Sequence, residues 1–278
     1  MTTRILRPVQ RQWQARRLAP QLGNRRAVAQ TLRALDRAAR RQPMAEGITV
    51  PIMGHPIRGH DARTLTYLFN DVFMSGHYAV ELDADTPTIV DCGANIGLAT
   101  LLFKIRYPAA TVRCLEANPA TFRMLETNVR ANGLHGVRAS NEAVWSAEGE
   151  IELFVGADPG GLRASVRRER GGDRAVRVPT VRLSRVLGSL PTVDLVKLDV
   201  EGAEHAVLED LLASGTIAVP RQYVIEYHHQ VAGDAPRLAP FLAAFEQAGF
   251  RYHLAARRGR AHAFQDVVIH AVRSHAPE

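Results

Sequence analysis

Several absences bound this chain of 278 residues before any motif is read. It has two cysteines, Cys92 and Cys114, so a disulfide framework and a cysteine zinc site are both excluded. Both thiols fall in apolar, strand-like runs, which places them as packed side chains in a reducing compartment. No apolar run approaches the length of a membrane span and no secretory leader is visible, so a cytoplasmic protein is expected. The glycine-rich turn at 93–97 is not G-x-G-x-x-G, and no Gly-Lys-Ser/Thr follows it, which excludes a P-loop. The first 45 residues contain no serine, unlike a mitochondrial transit segment.

The charge is unevenly placed. The net charge is +7, yet residues 1–41 hold eleven arginines and a single acid, Asp36, for a local net of +10. The remainder carries a net of −3. A nucleic-acid enzyme would carry its basic footprint around the catalytic cleft, and this one does not. Within residues 1–45, Val28, Leu32 and Leu35 recur at i, i+4, i+7, the spacing of an amphipathic helix. Its apolar stripe would pack on its own domain or on a twin subunit. The alternative is contact with an anionic surface, a membrane or an acidic polymer.

From about Thr86 the pattern alternates between β-branched runs and helical periods: strands at 88–92, 111–116, 136–141, 193–198 and 221–227, with helices at 97–106, 119–131, 182–189, 201–214 and 236–248. That alternation predicts parallel βαβ units. Upstream, 48–57 reads as a short extended segment and 62–75 as a helix. Two further strands, 150–155 and 175–181, flank a polar loop at 156–174. The last two, 250–256 and 263–272, are joined by Arg257-Arg258-Gly259-Arg260, which predicts an antiparallel hairpin. The expected organisation is an arginine-rich helical extension and substrate-side cap over 1–85, followed by one α/β domain over 86–278.

Chemistry concentrates at the carboxyl ends of the predicted strands, where open α/β sheets bind ligands. The first strand runs into Asp91-Cys-Gly93-Ala-Asn95-Ile-Gly97 and then a helix. A carboxylate at that turn would repel a pyrophosphate and attract a cationic amino-acid group, which favours S-adenosylmethionine over NAD or ATP. The second strand ends at Glu116, nineteen residues beyond Gly97, where an acid can accept hydrogen bonds from both ribose hydroxyls. Glu142, after the third strand, is placed to accept an adenine amine. The fourth strand ends in Asp194-Leu-Val-Lys197-Leu-Asp199-Val-Glu201-Gly202-Ala-Glu204, with Lys197 and Asp199 on one face. Helix capping accounts for Glu201 and Glu204 but poorly for Asp199. The fifth strand ends Glu226-Tyr227-His228-His229, with Glu226 and His228 on one face. A histidine there can remove a hydroxyl proton.

Taken together, Asp91-Cys-Gly-Ala-Asn-Ile-Gly97, Glu116-x-x-Pro119, Lys197-Leu-Asp-Val-Glu-Gly-Ala-Glu204 and Glu226-x-His228 resemble the FkbM-type S-adenosylmethionine-dependent methyltransferases over about residues 76–270. The resemblance implies a class I, Rossmann-like methyltransferase fold. That fold is a mostly parallel seven-stranded sheet with a C-terminal antiparallel hairpin and helices on both faces. It also implies that Asp91, Gly93, Asn95 and Glu116 bind the cofactor and that Asp199 and Glu226 line the reaction centre. The expected acceptor is a hydroxyl on a sugar, glycan, glycolipid or natural-product scaffold, deprotonated by His228 or Asp199. One departure stands out: where the family often has paired serines before the fourth strand, this chain has Ala164-Ser165. Asp199, Glu226 and His228 could also converge on Mg²⁺ or Mn²⁺, although a metal-independent reaction is the favoured expectation. The rival readings are a nucleic-acid methyltransferase and a non-catalytic binding module. Against the first, the position that would carry Asn/Asp-Pro-Pro-aromatic reads Asp199-Val-Glu-Gly.

Overall fold

The computed structural model describes residues 24–40, 47–156, 164–231, 237–256 and 265–273. The Arg257–Arg260 turn and most of the N-terminal arginine segment lie outside the described residues.

Helix α1 (Arg25–Ala39) is capped by the Asn24 side chain, which accepts from the Ala27 amide at 3.0 Å. Its apolar stripe of Ala27, Val28, Ala34 and Leu35 is buried in the chain's own core, while Arg25, Arg26, Arg33 and Arg37 face outward. Of the two expected packings, the described contact is with its own domain. Burying Val28 and Leu35 stabilises that docking by roughly 1.5–3 kcal/mol each.

Strands β1 (Ile48–Ile52) and β2 (His55–Gly59) form an antiparallel hairpin, where the sequence predicts only an extended segment. The tight turn places Met53 and Gly54 at positive φ, 52° and 89°. Helix α2 (Ala62–Phe69) starts on an Asp61 cap and passes directly into a π-helical turn (Asn70–Met74), so the helix expected over 62–75 is two conformations in series. π turns widen a helix locally and often mark functional sites.

The main sheet has seven strands: β3 (Thr88–Cys92), β4 (Thr111–Leu115), β5 (Val137–Ser140), β9 (Leu195–Leu198), β10 (Gln222–His229), β11 (Phe250–Ala256) and β12 (Gln265–Arg273). Their spatial order is β11-β12-β10-β9-β3-β4-β5. The pairs β10–β9, β9–β3, β3–β4 and β4–β5 are parallel, whereas β12 runs antiparallel to both β10 and β11. This is the expected fold, and its order reverses between β3 and β9. Helices α3 (Leu98–Arg106) and α4 (Pro119–Ala131) follow β3 and β4, α7 (Glu204–Ala213) follows β9, and α8 (Leu238–Gln247) precedes β11.

The segments flanking the polar loop build a separate small sheet. β6 (Ala143–Trp145), β7 (Gly149–Val155) and β8 (Arg174–Arg182) run in the order β6-β8-β7. A short helix α5 (Arg168–Gly171) precedes β8, and α6 (Leu183–Gly188) follows it. Cys92 and Cys114 are free and fully buried, as the sequence implied.

One hydrophobic cluster runs from Val28 and Leu35 through Ile52, Leu65 and Phe69 to Ile89, Leu101, Val112 and Val268. The core is thus continuous across residue 85. No helix among the described residues is long and apolar enough to cross a membrane.

Asn128, 2% exposed, ties the hairpin to the loop between β3 and α3. Its side chain accepts from the Arg58 amide at 2.7 Å and donates to the Arg58 carbonyl at 2.9 Å and the Ile96 carbonyl at 2.8 Å. Asn128→Ala leaves the buried Ile96 carbonyl and the partly buried Arg58 amide and carbonyl without that partner, and should lower unfolding free energy by about 1–3 kcal/mol in urea denaturation. A change under about 0.5 kcal/mol would contradict this assignment.

Candidate active site

The β3–α3 loop is shaped by close approach. Gly93 has φ 76°, and a Cβ there would lie 1.7 Å from the Asp199 carbonyl oxygen, so only glycine fits. Gly97 has φ 92° at the start of α3, and Asn95 also has positive φ, 51°. The amides of Gly93 and Ala94 both donate to the Leu115 carbonyl, at 2.8 and 3.0 Å.

Beneath this loop lies Lys197. Its ammonium donates to the Gly93 carbonyl at 2.7 Å and stands 3.2 Å from Asp91 Oδ1 and 3.6 Å from Asp199 Oδ2. Burial alone would lower its pKa, but Asp91 and Asp199 outweigh that and raise it, so it stays charged. Asp91 is wholly buried, and its second oxygen accepts from the Thr100 hydroxyl at 2.7 Å. The sequence places Asp91 at the mouth of the turn, facing a ligand; the structure places it under the loop, paired with Lys197. The reason is strand alternation: Asp91 pairs in register with Lys197 across β3 and β9.

An open cleft lies at this edge of the sheet. Among its lining residues are Gly93, Asn95, Glu116, Asn118, Glu142 and Asp199. Asp91 and Gly97, both expected at the cofactor, are not among them. Glu116 is held by two amides: Oε2 accepts from Asn95 at 2.8 Å and Oε1 from Asn118 at 2.8 Å. Burial pushes its carboxyl up to about 7 against the pull of those amides. Glu142 stands half-buried on the same wall. Asn118, missed in the sequence, caps α4 through its side chain, which accepts from Ala120 at 3.0 Å. The signal was present, since asparagine before Pro119 is a helix-start pattern.

Asp199 is shared with a second region. There it meets Glu226 and His228, with one ligand-type atom of each lying within 4.8 Å of the others. The His228 side chain is 1% exposed, not solvent-facing as a strand-end histidine would be. Its Nδ1 lies 2.7 Å from Glu204 Oε1, and its Nε2 lies 3.2 Å from Glu201 Oε2. Burial works to lower its pKa, but Glu201 and Glu204 together raise it to about 10. His228, expected as the proton acceptor, is thus enclosed by carboxylates that favour its protonated form. Helix α7 begins at Glu204 and not at 201, because Glu201 sits in a left-handed turn with φ 52°. Glu204 holds His228 and does not serve as a simple cap.

The strap before β8 closes this turn. Ser165 is fully buried; its hydroxyl donates to the Glu201 carbonyl and accepts from the Arg167 amide. Arg170 pairs with the Glu201 carboxylate. On the other side Tyr78, missed in the sequence, donates to Glu226 Oε2 at 3.2 Å. Burial, then Asp199, pushes the Glu226 carboxyl well up, and Asp71 adds to it. No sequence signal marked Tyr78 or Asp71, because they reach the site from the extension before the sheet.

A parallel sheet reversing at β3/β9, a tight loop over a buried lysine and an acid at the end of the second strand define a class I S-adenosylmethionine-dependent methyltransferase fold. Residues 91–252, more than half of the chain, match the family described as Methyltransferase FkbM domain. The chain belongs to this family of methyltransferases. Among similar proteins, Methyltransferase 1 of Beauveria bassiana (strain ARSEF 2860) is 30% identical over 52% of this chain. Methyltransferase sdnD of Sordaria araneosa is 31% identical over 51% of this chain. The matches span 66% and 67% of those two proteins, so the chain corresponds to about two thirds of their length. The structure of methyltransferase FkbM from Methylobacillus flagellatus KT superimposes with a TM-score of 0.47 at 14% identity, covering 71% of this chain and 46% of that one.

A Glu116 that held the cofactor would make its binding pH-dependent. The carboxylate, not the acid, can accept from two hydroxyls, and its raised pKa means that it ionises near pH 7. Lys197 favours the ionised form and Asp199 opposes it. Affinity for S-adenosylhomocysteine, measured by calorimetry, should rise about tenfold from pH 6 to 8 and be weak and flat in Glu116→Gln. Without ligand the sign reverses. Stability from a raised acid is present below its ordinary value near 4.5 and is lost as pH rises through about 7. An affinity independent of pH over this interval would contradict the assignment.

Proposed function

We propose that this chain transfers a methyl group from S-adenosylmethionine to a hydroxyl oxygen of a sugar, glycan, glycolipid or natural-product scaffold. The observation that carries the reading is the position of Asp199. It lines the cavity with Glu116, Glu142, Asn95 and Gly93, and it also belongs to the cluster with Glu226 and His228. The donor's methyl and the acceptor's oxygen would meet at that carboxylate.

In this reading Glu116 accepts from the ribose, Glu142 from the adenine amine, and the Gly93–Asn95 loop closes on the amino-acid end. Asp91 acts from below by fixing Lys197. The acceptor oxygen attacks the methyl carbon, the carbon–sulfur bond breaks, and its electron pair returns to sulfur to give the thioether. The hydroxyl proton passes to Asp199 and then to water. Alignment in the cleft supplies most of the rate enhancement, with proton removal adding about 10²–10⁴-fold. In this reading the proton goes to Asp199, while Glu201 and Glu204 hold His228 in place.

The 1–85 extension would form the acceptor-side wall, since Asp71 and Tyr78 reach the cluster from it. The outward arginines of α1 are the feature that would meet an anionic membrane surface. Carboxylates on the acceptor side disfavour a polyphosphate substrate such as RNA. The test is label transfer from methyl-labelled S-adenosylmethionine to fractionated glycans, lipids and small hydroxyl compounds. The wild type should yield a base-stable methyl ether, and Asp199→Asn should lose at least about 100-fold in kcat. Label in RNA, a base-labile ester, or full activity in Asp199→Asn would overturn the reading.

A further inference from the structure

We propose that Asp199, Glu226 and His228 form a site for one divalent cation of the Mn²⁺ type, whose open positions bind oxygen atoms of the methyl acceptor. This rests on the reading above and names what would hold the acceptor in place. The three side chains come from two adjacent parallel strands. Asp199 follows the end of β9, and Glu226 and His228 project from one face of β10. One atom from each lies within 4.8 Å of the other two. Ligands on an ion with bonds of about 2.1 Å stand about 3 Å apart when adjacent and about 4 Å when opposite, so small side-chain rotations close the triangle.

The histidine distinguishes this group from a collection of acids. A metal-binding imidazole commonly donates its other ring N–H to a carboxylate, which fixes the ring. His228 has that arrangement: Nδ1 faces the buried Glu204 at 2.7 Å, while Nε2 is directed at Glu201 at 3.2 Å, Asp266 at 3.9 Å and Asp199 at 4.0 Å. Glu204 is itself held, accepting from the Gly202 amide at 3.0 Å. Asp199 Oδ1, the oxygen turned toward Nε2, is buried and accepts no hydrogen bond. Tyr78 orients Glu226.

Charge points the same way. Asp71, Asp199, Glu201, Glu204, Glu226 and Asp266 gather here, while Lys197 is engaged with Asp91 and Arg170 with Glu201. Carboxylates crowded together and partly withdrawn from water repel one another, and a divalent ion offsets two of them. One imidazole with two carboxylates suits Mn²⁺ better than Mg²⁺, which prefers an all-oxygen shell. Three protein ligands leave positions open for acceptor oxygens. Asp199 would turn Oδ1 to the ion and keep its second oxygen for the proton.

The experiment is a Mn²⁺ titration of the full chain with saturating S-adenosylhomocysteine, following the electron paramagnetic resonance signal of free Mn²⁺. One ion should bind per chain. Glu226→Gln and His228→Ala should each weaken it at least tenfold, and Glu204→Gln should weaken it with the three ligands intact. Arg185→Ala, on a distant exposed pair with Glu148, should leave it unchanged. Calorimetry with S-adenosylhomocysteine on each variant runs in parallel. Glu226 and His228 do not line the cofactor cavity, so retained affinity certifies a folded protein. No Mn²⁺ binding by wild type, or binding unaltered in both ligand variants while the cofactor product still binds, overturns the cation site alone. Loss of S-adenosylhomocysteine binding by the wild type would overturn the functional reading itself.

Discussion

A single buried ammonium holds the site together. Lys197 is 3% exposed and stands between Asp91, Asp199 and the Gly93 carbonyl. Each neighbour belongs to a different part of the machinery: the strand beneath the loop, the carboxylate on the cavity wall, and the loop itself. A buried charge without partners is strongly destabilising, so each must keep its place for the lysine to remain. The Gly93 turn can then approach the Asp199 backbone at a distance that admits no side chain.

From that pin the site divides into two halves that share Asp199. One half faces the cavity, where Glu116 is fixed by the amides of Asn95 and Asn118. The other is a dense group of acids around His228, closed by Arg170 on one side and bounded by Tyr78 on the other. The halves differ in construction. The cavity side is built largely from backbone turns after consecutive strands. The acidic side draws residues from the extension, the β9 and β10 ends, and the strap before β8. That asymmetry suits an enzyme with an invariant donor and an individual acceptor.

The same asymmetry explains what could be read from the sequence. Alternating strand and helix periods are local, and so the parallel sheet, its C-terminal hairpin and the residues ending each strand were legible. Glu116, Glu142 and Asp199 reach the cavity for that reason. Asp91 was misplaced because the sequence carries no information on which partner a strand-end carboxylate finds, and Lys197 lies 106 residues away in the chain. The burial of His228 was not legible because it depends on Glu204 and Glu201, which the left-handed turn at Glu201 brings over it. The hairpin at 48–59 and the π turn at 70–74 were missed because they are fixed by packing against helices elsewhere in the chain, α1 and α4 for the hairpin and α3 for the π turn. In the small β6-β8-β7 sheet, β7 and β8 were visible as strands, but β6 and the separate layer were not, because strand pairing is a long-range property.

The Lys197–Asp91 pair is expected to shape the β3–α3 loop for the proposed cofactor more than to stabilise the fold. Replacing both members together strands neither of them, and Asp199, which also loses Lys197, keeps access to water through its 24% exposed side chain. Such replacements are often neutral for stability. The decisive measurement is therefore S-adenosylhomocysteine affinity of the double variant Asp91→Asn, Lys197→Met, by calorimetry at pH 8, beside its thermal midpoint. A folded protein with a midpoint close to wild type and an affinity weakened at least about tenfold, or about 1.4 kcal/mol, is the predicted result. Wild-type affinity in that folded variant would contradict the account.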